Sequence, residues 1–325
     1  MKKKILALTM AALMSVGMLA GCGSSSGGNA NAKYQVGVIQ LVQHPALDAA
    51  TKGFKDALKK ELGNDVSIEV KNASGDTATC ATIANTFVSS NKSLIMANAT
   101  PALQAASQAT ADIPVLGTSV TDYATALDMK NWTGKTGTNV SGTSDLAPLN
   151  EQAAMVKELF PDAKNVGILY CNSEANSKFQ ADKVTAELEK LGYTVNAFTF
   201  SDSNDVANVT QNACDASDVL YIPTDNTAAS CAENINNVAL SAKKPIIAGE
   251  ENICKGCGVA TLSIDYYDLG YQTGVMAAQV LRDGKKPGDM EVQTATKFTK
   301  EYNESIVKEL GITIPDGYEA IKKDK

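Results

Sequence analysis

The sequence contains one histidine among 325 residues, His44, within the stretch VIQLVQHPALDAATKGF at 38 to 54. An imidazole can serve as a general base or as a metal ligand. A nucleophile activated by histidine would have only this residue to use, and a zinc site would have only this imidazole. Pro45 suits the first position of a helix, which places His44 at the N-cap. We therefore interpret His44 as part of the wall of a ligand cleft.

Two other motifs have precedents in chemistry. Cys254-Lys255-Gly256-Cys257 resembles zinc and redox motifs, but no second C-x-x-C completes a zinc set, and the motif lies between two strand-like runs instead of opening a helix. We expect a local disulfide or two plain thiols there. Gly134-Lys135-Thr136 resembles the tail of a phosphate loop, with Met129 in place of the leading glycine. No catalytic residue, metal ion or cofactor is expected.

The first residues indicate export from the cytoplasm. MKKK precedes the apolar run ILALTMAALMSVGMLA, which is shorter than the roughly 20 residues of a membrane-spanning helix. Leu19-Ala20-Gly21-Cys22 resembles the cleavage box of bacterial lipoproteins, so we expect a signal peptide at 1–21 and a lipid anchor on Cys22. An ordinary cleaved signal and an uncleaved anchor are the alternatives. The residues GSSSGGNANA that follow indicate a flexible tether over 22–33.

The charge balance argues against nucleic acid as a partner. The chain has 29 basic and 36 acidic residues. Loss of Lys2, Lys3 and Lys4 with the signal lowers the formal charge from −7 to about −10. Such a surface does not neutralise phosphates, and no basic stripe is present.

Short apolar runs alternate with amphipathic segments, which is typical of strands and crossover helices in a parallel sheet. The pattern occurs twice, and each half is predicted to be a small doubly wound α/β domain. One helix is expected from Pro45 to Gly63, and its counterpart after residue 171 is expected to run through Phe179, Val184, Leu188 and Leu191 to Gly192. The predicted strands are VGVIQ (36–40), VSIEV (66–70), SLIMANA (93–99) and IPVLGT (113–118), then VGILYC (166–171), YTVNAFTF (193–200), DVLYIP (218–223) and PIIAGE (245–250).

The remaining segments indicate two Rossmann-like lobes joined by hinge strands near 138–144, 262–266 and 293–300, because VATLSID (259–265) precedes a long helical pattern ending at Gly284. Such architectures close around ligands by hinge motion. The predicted lobes are 34–140 with 266–292, and 141–265 with 293–325.

Ligands of open parallel sheets bind beyond the carboxyl ends of the strands, where this sequence has small polar residues. Half of them are expected to cap helices. No Lys or Arg stands among them, which favours a singly charged or zwitterionic solute such as an α-amino acid. Tyr266, Tyr267, Phe179 and Tyr123 are available as aromatic walls. The polar candidates are Gln40, His44, Thr100, Ser119, Thr121, Asp122, Glu174, Asn176, Ser177, Asp225, Asn226 and Glu250.

Several stretches resemble the ABC-transporter solute-binding proteins of the tryptophan-type family, across nearly the whole exported chain. The resemblance implies a periplasmic-binding-protein type I fold and an amino acid, often aromatic, as the ligand. The stretches are VIQLVQHPALDAATKGF, ATPALQA (99–105), GTSVTD (117–122), NVSGTSDL (139–146), SEANS (173–177), YIPTDNT (221–227), PIIAGE (245–250) and SIDYYDLGYQTG (263–274).

The resemblance also implies roles for residues at matching positions. Thr100, Ser119 and Thr121 would meet the ligand carboxylate. Asp225, Asn226 and Glu250 would approach the ammonium group, and Glu250→Gln should weaken binding more than tenfold. Polar and aromatic walls would come from Glu174, Asn176, Ser177, Asp265 and Tyr266.

The expected function is therefore a lipid-anchored binding protein on the extracytoplasmic face of a bacterial membrane. It would be a monomer that binds tryptophan, tyrosine or phenylalanine and delivers it to an ABC permease and ATPase. A receptor subunit that reports ligand occupancy to a membrane sensor is one alternative. A secreted enzyme of similar fold is the other, and the missing catalytic set disfavours it.

Overall fold

Apolar runs in the first half of the chain form strands, and the amphipathic segments between them form helices. The computed structural model describes residues 31–322. The signal peptide, Cys22 and most of the predicted tether lie outside the described residues, as do residues 323–325. The elements of the first half are β1 (Tyr34–Gln40), α1 (Pro45–Leu62), β2 (Val66–Asn72), α2 (Thr77–Ser89), β3 (Leu94–Asn98), α3 (Thr100–Ala109), β4 (Val115–Val120), α4 (Tyr123–Ala126) and β5 (Val140–Ser144).

The second half repeats this alternation and then adds elements that complete both lobes. Its repeat comprises α5 (Leu149–Leu159), β6 (Asn165–Cys171), α6 (Ala175–Lys190), β7 (Thr194–Phe200), α7 (Val206–Ala216), β8 (Val219–Ile222), α8 (Asn226–Ser230), α9 (Ala232–Ser241), β9 (Ile246–Ala248), α10 (Glu251–Cys257) and β10 (Ala260–Ser263). The additions are α11 (Tyr266–Asp283), β11 (Gln293–Thr294), β12 (Thr299–Tyr302), α12 (Glu304–Leu310) and β13 (Glu319–Ala320).

The strands of residues 31–322 form two sheets, one in each lobe. The first has the order β11-β5-β4-β3-β1-β2, and the second has the order β13-β12-β10-β9-β8-β6-β7. Neighbouring strands are parallel except β10 and β12, which are antiparallel. Buried apolar clusters lie against both faces of each sheet. This confirms the prediction of two doubly wound α/β lobes.

The chain crosses between the lobes three times, after β5, between β10 and α11, and between β11 and β12. These crossings fall at or beside the three predicted hinge segments. The predicted boundary at 140/141 is too early, because β5 pairs with β4 and completes the first sheet. The boundary at 292/293 is early for the same reason, since β11 pairs with β5.

Helices α1 and α11 pack in parallel, and small residues let their backbones approach closely. A Cβ on Gly53 would collide with the carbonyl oxygen of Tyr267, and one on Gly270 would collide with that of Ala50. Ala50 therefore lies beside Gly270, and Gly53 lies beside the start of α11. The pairing places the N-termini of both helices at the same edge of the first lobe, with His44 at one and Tyr266 at the other.

The C-x-x-C motif lies between β9 and β10, as the sequence indicated, and forms the last turn of α10 instead of opening a helix. Ile253 and Cys254 turn into the core of the second lobe, together with Cys257, and that burial holds this short helix in place. The six cysteines of residues 31–322 are free and buried. Burial raises the pKa of the Cys254 and Cys257 thiols, which fits two plain thiols.

A helix of the protein could span a membrane only if it were both long and apolar. Within residues 31–322, no helix combines the length and the apolar character needed to cross a bilayer.

Candidate ligand-binding site

A cavity lies between the two lobes. Residues of both lobes line it, and most of them follow the carboxyl ends of strands. The lining residues are His44, Leu47, Ser119, Thr121, Asp145, Asn176, Thr224, Asp225, Asn226, Ala229, Glu250 and Tyr266.

Asp145 is the residue that follows β5, and one of its oxygens has no partner. Its Oδ2 accepts a hydrogen bond of 3.0 Å from the phenol of Tyr266. Its Oδ1 is buried without a hydrogen-bond partner. Burial raises the pKa of Asp145 to about 6, because desolvation outweighs the opposing effects of Tyr266, of Thr121 and of its own backbone N–H. A buried carboxylate oxygen in this state strongly favours a cationic or hydrogen-bond-donating partner.

Glu174 lies behind the cavity and organises its second-lobe wall. Its Oε1 accepts hydrogen bonds from the backbone N–H and the hydroxyl of Thr227. Its Oε2 accepts from the backbone N–H of Asn226, from the Asn226 amide at 2.6 Å, and from the Asn176 amide at 3.2 Å. Both side-chain amides therefore direct their N–H groups toward Glu174. The oxygen of Asn176 is left buried and without a partner.

Asp225 and Glu250 also line the cavity, but both carboxylates already accept backbone hydrogen bonds. Asp225 accepts from Cys171 and Ala228, each at 2.7 Å. Glu250 caps α10 by accepting from the backbone N–H groups of its second and third residues. Burial raises the pKa of Glu250 to about 7, and burial together with Glu174 raises the pKa of Asp225.

Hydroxyl groups stand on the first-lobe side of the site. The hydroxyl oxygens of Ser119 and Thr100 are buried without hydrogen-bond partners. Ser119 has φ 54°, and Ala99 immediately before α3 has φ 91°. Non-glycine residues rarely adopt such conformations, and their strain is concentrated at functional sites. Ala99 follows β3 and Ser119 lies near the end of β4, so both conformations occur at the carboxyl ends of strands, and Ser119 lines the cavity.

Side chains meet across the cleft at two points. His44 Nε2 of the first lobe lies 3.4 Å from Asn226 Oδ1 of the second. Gln180 donates to the hydroxyl of Thr121 at 3.5 Å and to the carbonyl of Thr224 at 3.1 Å. These contacts between the lobes place the structure in a closed arrangement.

The cavity brings together most of the residues that the sequence predicted. Those that line it are His44, Ser119, Thr121, Asn176, Asp225, Asn226, Glu250 and Tyr266. Leu47, Asp145 and Ala229 also line it and were missed, and so does Thr224, a polar residue at the end of β8 that the strand-end rule indicates but that is not among the ligand candidates. Asp145 could have been found, because it directly follows the strand in NVSGTSDL, but that strand is polar and lacks the apolar run used to recognise the others.

Other predicted residues lie elsewhere, mostly because they have local structural roles. Asp122 and Asp265 cap α4 and α11 by accepting from the backbone N–H groups of Thr125 and Asp268. Gln40 lies on a separate groove beside α1, where it is hydrogen-bonded to Asp48 and Thr51. Thr100, Glu174 and Ser177 are buried but do not line the cavity.

The other aromatic candidates also lie away from the cavity. Tyr267 donates to Asp56 on the neighbouring helix, and Tyr123 donates to the carbonyl oxygen of Thr143. Phe179 is partly buried and lies beside Lys183. Tyr266 is thus the aromatic residue among the lining residues.

The charges of the cavity wall are of one sign. Asp145, Asp225 and Glu250 line it, Glu174 lies directly behind, and no Lys or Arg is among the lining residues. Such a wall favours a ligand that carries a positive charge. Across residues 31–322, no group of three or more His, Cys, Asp or Glu side chains is arranged to hold a metal ion.

Comparison with known proteins gives matches over most of the chain. The sequence profile of the family described as ABC transporter substrate binding protein matches residues 35–322. The tyrosine-binding protein of Clostridioides difficile (strain R20291) is 40% identical over 337 residues, covering 99% of this chain and 97% of that protein.

Two solved structures of similar sequence identity differ in how closely they match. A Streptococcus pneumoniae ABC domain in complex with L-Trp is 36% identical and has a TM-score of 0.84, covering 89% of this chain and 100% of that one. The ligand-free, open structure of a substrate-binding protein with adhesive properties from Clostridium difficile is 38% identical and has a TM-score of 0.68, covering 90% of this chain and 100% of that one. The better match to the ligand complex agrees with the closed arrangement of the lobes.

Proposed function

The chain belongs to the family of ABC transporter substrate-binding proteins, and from that premise we propose that it binds an aromatic amino acid between its lobes. The candidates are tryptophan, tyrosine and phenylalanine. The chain has the type I periplasmic-binding-protein fold and is a binding protein, not an enzyme. Proteins of this family act outside the cytoplasm.

The observation that carries the proposal is the unpartnered oxygen of Asp145. This oxygen lies in an acidic wall of the cavity. In the proposed complex, the ammonium group of the amino acid donates hydrogen bonds to it and to the unpartnered oxygen of Asn176. Among the acids that line the cavity, Asp225 and Glu250 have their oxygens occupied by backbone N–H groups, so Asp145 is the main ammonium partner.

The hydroxyl of Ser119 supplies a donor for the ligand carboxylate at the first-lobe edge of the cavity. Thr100 is the first residue of α3, and its buried hydroxyl does not line the cavity. Leu47, Ala229 and Tyr266 provide the apolar part of the wall for the side chain of the ligand.

Hydrogen bonds to the charged ends of the ligand and burial of its ring both contribute to the free energy of binding. Charge-assisted hydrogen bonds contribute about 1.5 to 3 kcal/mol each. Burial of an aromatic ring of roughly 150 to 250 Å² adds about 4 to 6 kcal/mol at 25 cal/mol/Å². Micromolar binding needs about 8 kcal/mol after the costs of association. Micromolar affinity therefore requires more than one charge-assisted hydrogen bond at each charged end of the ligand, in addition to burial of the ring.

Two relatives support the aromatic class. One is named as a tyrosine-binding protein, and the structure of another holds L-Trp.

We further propose that Cys22 carries a lipid anchor, that the protein acts as a monomer, and that it passes its ligand to an ABC permease and ATPase.

A thermal-shift panel of the twenty amino acids tests the function. A ligand that binds only the folded state raises the melting temperature by mass action. We expect the aromatic amino acids to give the largest shifts. Stabilisation by sugars alone would contradict the proposed ligand class.

Mass spectrometry of membrane-extracted protein tests the lipid anchor separately, because it would detect or exclude the lipid on Cys22.

A further inference from the structure

The imidazole of His44 lies in the cavity with one nitrogen bonded and the other without a partner. Nε2 is 3.4 Å from Asn226 Oδ1, and Nδ1 is buried without a hydrogen-bond partner. The residue is only 7% exposed and lines the cavity. Its N-cap position does not explain this arrangement, because the side chain makes no capping hydrogen bond to α1.

The tautomer of His44 follows from the orientation of Asn226. Glu174 accepts hydrogen bonds from backbone N–H groups on both of its oxygens, and backbone N–H groups only donate. The atom of Asn226 that lies 2.6 Å from Glu174 is therefore the amide nitrogen. The amide oxygen of Asn226 then faces His44 and can only accept. Nε2 must carry the proton.

The imidazole is neutral in this environment. Burial lowers the pKa of His44, outweighing the opposite effects of Asn226, Glu174 and Asp48. A neutral imidazole with its proton on Nε2 has a bare lone pair on Nδ1. His44, a residue of the cavity wall, thus has a buried acceptor that no group of the described residues satisfies.

We propose that His44 determines ligand specificity, with its bare Nδ1 accepting a hydrogen bond from a donor on the ring of the bound amino acid. The site then prefers rings that carry a phenol O–H or an indole N–H to the unsubstituted ring of phenylalanine. This inference rests on the proposed function, in which Asp145 and Asn176 take up the ammonium group. The ammonium group has three N–H donors and two assigned acceptors, so its third N–H is the competing partner for Nδ1, and comparison with phenylalanine separates that partner from a donor on the ring.

The expected discrimination follows from the cost of an unmatched buried acceptor. Leaving such a group without its hydrogen bond costs about 1 to 3 kcal/mol, which corresponds to roughly 5-fold to 150-fold in affinity. Sites built to bond a ligand hydroxyl reject the analogue that lacks it more strongly than apolar pockets reject a small change in size. Phenylalanine is therefore expected to bind at least about fivefold more weakly than tyrosine or tryptophan.

Calorimetry on the wild type, His44→Leu and His44→Gln tests the proposal. Leucine removes the acceptor, whereas glutamine retains an oxygen that can accept. We expect His44→Leu to lower the affinity for the preferred ring at least fivefold and leave phenylalanine nearly unchanged, and His44→Gln to restore part of the preference. An unchanged ratio of affinities in His44→Leu would overturn the proposal.

A second measurement needs no variant, because His44 is the only histidine in the chain. Ring-labelled histidine in a tag-free sample gives the nitrogen signals of this residue alone. We expect a protonated Nε2 and a bare Nδ1 at neutral pH, and a shift of the Nδ1 signal with tyrosine or tryptophan that phenylalanine does not produce. A protonated Nδ1 in the free protein, or equal shifts with all three ligands, would overturn the proposal.

The outcomes separate this inference from the proposed function. Binding of aromatic amino acids without any ring preference leaves the function standing and removes the role of His44. Absence of binding by every amino acid removes both.

Discussion

The phenol of Tyr266 donates a hydrogen bond of 3.0 Å to Asp145 Oδ2, and the other oxygen of that carboxylate is buried without a partner. The two residues come from different crossings between the lobes, since Asp145 follows β5 and Tyr266 begins α11. The hydrogen bond fixes the carboxylate, so its free oxygen is held in place for a ligand. This is the preorganisation that a binding site requires.

Asp145→Asn is predicted to weaken binding of an aromatic amino acid by more than tenfold, because it removes the charge that faces the ammonium group. The side chain stays the same size and can still accept from Tyr266. Calorimetric titration measures the effect. Asp122→Asn is the matched control, because Asp122 caps α4 away from the cavity. Equal affinity of the wild type and Asp145→Asn would move the ammonium group elsewhere.

Glu250→Gln is predicted to weaken binding less than Asp145→Asn does. Both oxygens of Glu250 already accept N–H groups at the start of α10, whereas Asp145 has a free oxygen. The sequence predicted more than a tenfold loss for Glu250→Gln, and the capping role gives the reason to reverse that order. Side-by-side titrations decide it, and a larger loss in Glu250→Gln would restore Glu250 as the main partner.

Ser119→Ala and Ser119→Gly form a pair that separates ligand contact from backbone strain. Both variants lose the hydroxyl, so both should weaken binding about tenfold. Glycine relieves the positive φ of 54°, so it should leave the fold about 1 kcal/mol more stable than alanine does. Denaturant unfolding and calorimetry give the two quantities. Recovery of affinity in the glycine variant would show that strain, and not the hydroxyl, governs binding.

The stability of the ligand-free protein is predicted to fall as the pH rises from 6.5 to 8. The pKa of Glu250 is raised to about 7 and that of Asp145 to about 6, and the pKa of Asp225 is also raised. The folded state therefore binds more protons than the unfolded state in this range, and stability is lost as the pH passes through the folded-state values.

Glu250 and Asp225 should each contribute on the order of 1 kcal/mol to this change in the free energy of unfolding, and Asp145 should contribute less, because its pKa lies below this range. Below about pH 6.5, His44 makes the free energy of unfolding rise with pH, because the pKa of its folded state is lowered. The range above pH 6.5 therefore reports on the carboxyl groups. Melting temperatures at pH 6.5, 7 and 8 check the prediction. An amino-acid ligand should reduce the slope, because its ammonium group stabilises the ionised form of Asp145. A melting temperature that rises over this window would contradict the assignment.

The sequence predicts the architecture well because the strands of both sheets are mostly apolar and the helices between them are amphipathic. Strand β5 is the instructive exception, since VSGTS contains one apolar residue. Its buried hydroxyls are satisfied by neighbours, as in the pair Thr143 and Thr273 at 2.8 Å. Such a strand depends on tertiary hydrogen bonds, which periodicity does not reveal.

Tertiary hydrogen bonds also limit how much of the candidate site can be predicted from the sequence. Strand-end positions and the family resemblance together placed eight of the fourteen predicted ligand residues at the cavity wall. They could not tell a carboxylate that caps a helix from one with a free oxygen, as the contrast between Glu250 and Asp145 shows. That difference depends on which backbone N–H groups each side chain meets in three dimensions.

The most direct test of the account is a calorimetric titration of L-tyrosine beside two analogues, tyramine without the carboxylate and 3-(4-hydroxyphenyl)propionate without the ammonium group. All three carry the same ring, so the comparison isolates the charged ends. The account predicts micromolar or tighter binding of L-tyrosine, and at least about tenfold weaker binding of each analogue. Analogues that bind as tightly as L-tyrosine, or L-tyrosine that does not bind, would contradict a cavity built for an aromatic amino acid.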